Sequence, residues 1–169
     1  TLDVKKTITK PKGENGSEIV NEITFDNTYE ATGYITQSGT KRVEGGSTKQ
    51  FTFGVYTDES CTTLAPTSEA ENVSVWVSHN QVKNTASSTD AEQNFNFNVY
   101  FNEQVMTNDS DQDGKGEAVL YIKEVDTELK GYDPDRSIYR VTYEVTDERD
   151  STLTPKVEKV EKKSGNGWS

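Results

Sequence analysis

Period-two alternation of apolar side chains, recurring in short blocks along most of the chain, is the feature that most limits the fold. "FTFGVYT" (Phe51 to Thr57) places Phe51, Phe53 and Val55 on one side. "NVSVWVS" repeats this with Val73, Val75 and Val77, and "NFNFNVYF" with Phe95, Phe97, Val99 and Phe101. "AVLYIKEV" and "SIYRVTYEVTD" follow, the latter setting Tyr139, Val141, Tyr143 and Val145 against Ile138, Arg140, Thr142 and Glu144. Successive side chains on a strand point to opposite faces, so each block reads as a strand with one buried side. Between the blocks lie "VEGGSTKQ", "TASSTDAEQ" and "NDSDQDGKGE", segments rich in residues that favour turns. Only 30% of the residues are hydrophobic, which fits a thin core between two sheets. The expected fold is all-β, an antiparallel sandwich.

Charge and cysteine content narrow the function classes. The net charge of −11 argues against nucleic acid and anionic membranes as partners. No run of apolar residues is long enough for a membrane span, and nothing resembles a signal peptide. If the protein is exported, its targeting and anchoring segments are expected outside this stretch. Cys61 is the only cysteine, so no intrachain disulfide can form. The single histidine, His79 in "VWVSHNQ", has no nucleophile motif beside it and reads as an ordinary strand-end or loop residue.

The two ends of the chain resemble each other. "TLDVKKTITKPKGENGS" (Thr1 to Ser17) slides onto "TLTPKVEKVEKKSGNGW" (Thr152 to Trp168), matching Thr1, Leu2, Lys5, Lys12, Asn15 and Gly16 to Thr152, Leu153, Lys156, Lys163, Asn166 and Gly167. Coincidence between two Lys-rich hairpins is the competing explanation. A true match implies that the chain opens near the end of one repeat. "EITFDNTY" then closes a preceding unit, and the unit filling most of the chain lacks its own last strand. The expected division is residues 1–31 as a closing hairpin and donor segment, and 32–169 as the sandwich repeat.

"SGTKRVEGGSTKQFTFGVY", "LYIKEVDTELKGYDPDRSIYRVTYEVTDERDSTLTPKV" and "ITFDNTYEA" together resemble the repeating backbone-pilin domains of Gram-positive bacteria. The resemblance covers nearly the whole chain and is strongest from Tyr121 to Asp147. It implies an immunoglobulin-like sandwich stapled by a Lys–Asn isopeptide bond, placed outside the cell on its surface or in a cell-wall filament. The order departs from the family's pattern, because the Asn-bearing strand precedes the Lys-bearing one.

The chemistry the resemblance implies asks for three core-facing residues on adjacent strands. A Lys amine attacks the amide carbon of Asn and ammonia leaves. A dry interior favours a neutral amine and a protonated acid over their charged forms, and the acid polarises the carbonyl and shuttles protons. By parity, Asn27 shares a face with Ile23 and Phe25. Lys41 shares one with Ile35 and Val43, although Gln37 and Gly39 lie there too, and Glu124 shares one with Leu120 and Ile122. These become the expected crosslink partners, Lys41 and Asn27, and the expected catalytic acid, Glu124. Read singly, each has a plainer role: turn chemistry for the Asn, a solvated surface for the Lys and the Glu. Lys5 and Lys6 in "TLDVKKTITK" are rival amines.

The resemblance further implies that the first and last strands of a unit run parallel and adjacent. Parallel neighbours need a crossover of about a dozen residues, and Asn27 is followed too closely by the Lys41 strand for that. Asn27 is therefore expected to join a preceding unit, a neighbouring copy as a donor strand, or a permuted arrangement. "DSDQDGKGE" sets Asp109, Asp111 and Asp113 as the opening of a calcium loop, with Glu117 as a fourth ligand. The usual last ligand position falls on Leu120, and otherwise no cofactor is expected. Two function classes stand. One is a structural filament module whose only reaction is a single self-directed crosslink; the other is an adhesin binding a host or carbohydrate ligand through its loops. Trp76 and Trp168 suggest no aromatic platform, and no nucleophile–base pair or metal quartet points to a turnover enzyme.

Overall fold

The computed structural model describes residues 3–9, 22–126 and 129–169. Among these the chain is an immunoglobulin-like β-sandwich of two antiparallel sheets. The strands are β1 (Asp3–Thr9), β2 (Glu22–Thr28), β3 (Thr32–Arg42), β4 (Thr52–Tyr56), β5 (Val75–Val77), β6 (Gln81–Lys83), β7 (Glu92–Asn102), β8 (Gly116–Val125), β9 (Ile138–Asp147), β10 (Leu153–Ser164) and β11 (Gly167–Trp168). One sheet is ordered β3-β7-β5 and the other β11-β10-β9-β8-β4-β6, while β1 and β2 pair only with each other.

Alternation becomes core where the two sheets face. Phe95, Phe97, Val99 and Phe101 of β7 meet Phe53 and Val55 of β4, Leu120 and Ile122 of β8, and Val141, Tyr143 and Val145 of β9. Burying each such side chain contributes about 1.5–3 kcal/mol. The Tyr143 ring is fully buried, meets Phe101 edge-on, and its hydroxyl donates to Gln37 Oε1 at 2.9 Å. One end of the sandwich is closed by a 3-10 turn, Glu103–Thr107, which seats Val105 in the core. The buried Asn102 caps it, accepting from the Gln104 amide while donating to Val73 O and Glu69 Oε1.

Three strands differ from a plain alternating reading. The block around Trp76 is a strand only over Val75–Val77, because Asn72 just before it has a left-handed backbone (φ 63°). Strand β6 in "NQVKN" is too short to announce itself; only Val82 of it is buried. In β10 the register slips between Val157 and Lys159, a bulge that bends the strand after its first half.

The sandwich holds the end of β2 through residues 29–31. Tyr29 donates its hydroxyl to Asp147 Oδ1 (2.8 Å) and accepts from the Ser151 amide (3.2 Å). The Ala31 amide donates to Glu103 Oε2. Strand β3 then starts beside β10, and a β-carbon added at Gly33 would lie 2.0 Å from the Leu153 carbonyl oxygen, so that approach requires glycine.

Burial raises the Tyr143 phenol well above its ordinary value, whereas in the unfolded chain it ionises near pH 10. The stability gained by keeping it protonated is full below about pH 10 and falls as pH rises further. Tyr143→Phe should cost about 1 kcal/mol at neutral pH through the lost hydrogen bond. Urea unfolding of both proteins should show that deficit shrinking above about pH 10.

Candidate functional site

Strand β3 turns Ile35, Gln37, Gly39 and Lys41 inward and Tyr34, Thr36, Ser38 and Thr40 outward. Strand β8 turns Leu120, Ile122 and Glu124 inward. The two inward rows meet at their ends, where Lys41 Nζ donates to Glu124 Oε2 at 2.7 Å. Both side chains are nearly dry, 11% and 5% exposed. The structure thus brings together two of the three residues singled out by parity.

Aromatic rings make the surroundings apolar. Lys41 Nζ sits 4.3 Å from the centre of the Phe51 ring, a cation–π contact that strengthens as water is excluded. Phe53, paired in register with Glu124, stacks on Phe95 at 4.0 Å. Gly39 is forced by that stack: a β-carbon there would lie 2.2 Å from the Phe95 ring. The position that weakens the parity pattern is therefore part of the site. Phe51 is held in turn by Asn84, which is 1% exposed. Its Oδ1 accepts from the Phe51 amide, and its Nδ2 donates to the carbonyls of Lys49 and Thr85. Asn84 escaped sequence reasoning, since a loop asparagine in "KNTASS" reads as turn chemistry.

The pair lies at one end of a slot of about 430 Å³ that runs between the sheets along β3, lined by Gln37, Gly39, Phe95, Ile122, Tyr139 and Val160 among others. Among the described residues β3 has a full partner strand on one side only, β7. Its other edge touches β10 through a single bridge, Thr32 to Thr152. Asp135 stands at the same slot. A hydrogen bond from Ser137 holds its carboxyl below the ordinary range, partial burial opposes this, and the fields of Lys41 and Lys162 add to it.

Asn27 is elsewhere, and the expectation of a buried carboxamide is corrected for this chain. It is exposed near the end of β2, on the face of Ile23 (61% exposed) and Phe25 (64% exposed). Parity groups Asn27 with Ile23 and Phe25, and among the described residues no layer covers that face of the two-stranded β1–β2 sheet. Lys5 and Lys6 lie on β1, in register with Asp26 and Phe25, in a different sheet from Glu124. Their side chains fall outside the described residues.

The acidic loop is partly assembled. Ligand atoms of Asp109, Asp111 and Asp113 lie within 4.8 Å of one another. Glu117 is not with them; it is the second residue of β8 and accepts from the Ser110 hydroxyl at 2.6 Å. The three aspartates already accept from the loop's own amides at Asp113, Gly114 and Lys115, and Lys115 Nζ lies 3.5 Å from Asp113. This is the hydrogen bonding of a tight acidic turn. His79 is exposed and contacts Ser78 Oγ, in keeping with a loop role.

No family model, curated protein or solved structure matches the chain.

Removing one member of a buried ion pair leaves the other charge without a partner, at a cost of about 3–5 kcal/mol. Lys41→Met and Glu124→Leu should each lower stability by about 3 kcal/mol, and the double variant should recover most of the loss. Chemical denaturation of the four proteins measures the coupling. Gly39→Val should displace Phe95 and cost about 1–3 kcal/mol.

Proposed function

We propose that the chain is a structural, extracellular filament module of the backbone-pilin kind, whose one reaction is a self-directed Lys–Asn crosslink between neighbouring units. The observation that carries this reading is the Lys41–Glu124 pair, hydrogen-bonded at 2.7 Å inside an aromatic-walled slot. That slot opens along an unpaired strand edge.

The proposed reaction requires the Lys41 proton to pass along the short hydrogen bond to Glu124, giving a neutral amine and a neutral acid. Low dielectric favours that state when no solvent stabilises the charges. An asparagine side chain entering beside them has its carbonyl polarised by the Glu124 O–H. The Lys41 nitrogen forms a bond to the amide carbon, the C–N bond to the amide nitrogen breaks, and that nitrogen departs as ammonia with a proton relayed by Glu124. Glu124 ends the step as the neutral acid it was when the amine attacked, and the product is a secondary amide.

Asn27 is the carboxamide placed to act as donor. It shares its exposed face with Ile23 and Phe25, apolar groups that suit the apolar lining of the slot, Phe95, Ile122 and Val160 among it. Only residues 29–31 separate β2 from β3, too few for β2 to lie parallel to β3 of its own chain. The Asn27 strand therefore serves another copy or an adjacent repeat, head to tail, by adding to the β3 edge. The amide so formed resists reduction, which suits a chain with one cysteine working outside the cell.

Reducing SDS gels of the purified protein should show a ladder, each rung lighter than the sum of its monomers by one ammonia per link. Lys41→Ala, Glu124→Ala and Asn27→Ala should each abolish it. Mixing the Lys41→Ala and Asn27→Ala variants should restore a dimer that grows no further. A single monomer band of unchanged mass, or a ladder that survives Asn27→Ala, overturns the reading.

A further inference from the structure

The outer face of the β3-β7-β5 sheet carries a second feature, separate from the slot. Tyr34, Tyr100 and Trp76 stand directly opposite one another on the three adjacent strands. Their ring centres are 5.9 and 5.8 Å apart, and the Trp76 and Tyr100 planes are tilted by only 16°. This aromatic row crosses the whole sheet. It was invisible in the sequence, where Trp76 is one residue in an alternating strand and its two partners are distant.

From that row, β3 and β7 continue with hydroxyls facing amides. Thr36 donates to Asn98 Oδ1 (2.8 Å), Ser38 lies opposite Asn96, and Thr40 donates to Asn94 Oδ1 (3.0 Å). The first charged pair is Arg42 with Glu92, at the far end of the strands. From Tyr34 to Thr40 is about 20 Å at the rise of a strand. In a chain that is 28% charged, that length of uncharged surface is a departure. The six-stranded sheet carries the ordinary alternative on its exposed side, with Glu144 held between Lys115 and Lys156 and Arg140 paired to Glu161.

Asparagine is disfavoured in strands, so beyond the bonds from Thr36 and Thr40 the side chains of Asn94, Asn96 and Asn98 do little for the sheet. What they offer is a donor pair and an acceptor on one planar group. Tyr and Trp add broad, rigid, amphipathic contact area at little entropic cost. A dry protein partner would bury those amides and hydroxyls without matching them, at about 1–3 kcal/mol for each group left unpaired. A sugar ring matches both halves: its C–H face lies on an aromatic ring, and its hydroxyls exchange hydrogen bonds with carboxamides. The strongly negative chain repels acidic polymers. We infer that this face binds a neutral oligosaccharide of pyranose units, its chain running along β3 and β7 from the Tyr34–Tyr100–Trp76 row.

The test uses the full chain with Trp168→Phe, so that Trp76 is the sole tryptophan fluorophore. Cellohexaose, maltohexaose and N-acetylchitohexaose serve as neutral probes, and hexagalacturonate as the acidic control. At least one neutral probe should give a saturable change in Trp76 emission, and hexagalacturonate none. Tyr34→Ala and Asn96→Asp change exposed positions and should leave the melting temperature near its starting value. Each should weaken binding of that probe by about tenfold, the loss expected for an aromatic contact or a buried carboxylate. The purified monomer fraction should bind the probe whether or not a ladder forms, so failure of the crosslink and failure of this site are read separately. A flat titration with all three neutral probes overturns the inference. So does binding that ignores both variants, or equal binding of hexagalacturonate.

Discussion

A lysine and a glutamate hydrogen-bonded between two sheets cost more to bury than they return as a pair. Withdrawing either charge from water costs several kcal/mol, and a well-packed apolar pair in the same space is commonly as stable or more so. Here the surroundings are arranged to tolerate the expense. The Phe51 face lies against the ammonium, Glu124 accepts its hydrogen bond, and among the described residues no buried side-chain polar atom is left without a partner. Asn84, buried completely and hydrogen-bonded three ways, fixes Phe51 rather than touching the pair. Through Phe51, that asparagine also fixes the apolar surface against which the Lys41 amine rests.

The same amine shapes what can join the open edge of β3. An eleven-residue strand paired with β7 on one side and open on the other beyond its bridge to β10 invites any extended peptide, and an inward-facing charge is one of the devices that discourage indiscriminate pairing. A strand bringing an apolar side chain to Lys41 would press it against the ion pair without compensation. A strand bringing a carboxamide supplies an acceptor for the ammonium, or for the proton on Glu124. In the proposed crosslink, selection of the partner and the chemistry would rest on one side chain, with rejection of wrong strands as much a part of specificity as attraction of the right one.

How far the sequence exposes this depends on the range of the interaction. Parity along single strands suffices for Glu124, flanked by Leu120 and Ile122, because burial on β8 alternates without interruption. It is weaker for Lys41, because Gln37 and Gly39 share its face. Gln37 is satisfied by Tyr143, and the room Gly39 leaves is filled by the Phe95 ring. Both reasons lie on other strands, far along the chain. Asn27 marks the complementary limit. Parity assigns it to the face of Ile23 and Phe25, and no local pattern reveals whether that face is covered. The Tyr34–Tyr100–Trp76 row needs two strand registers at once before its members become neighbours.

Strand β3 joins the two features by the simplest property of extended chain. Its inward residues reach the Lys41–Glu124 slot and its outward ones begin the aromatic and hydroxyl face, alternating at every step. Tyr34, the most exposed ring of the row at 63%, sits on the edge that an incoming strand would pair with. Adding that strand would turn β3 from an edge into a central strand, fix the backbone under Tyr34, and extend the outer face by one strand. Ordering a surface before its ligand arrives removes part of the entropy that binding would otherwise cost. In an assembly built this way, closing the slot on one side of the sheet stiffens the recognition surface on the other, with no contact between the two ligands.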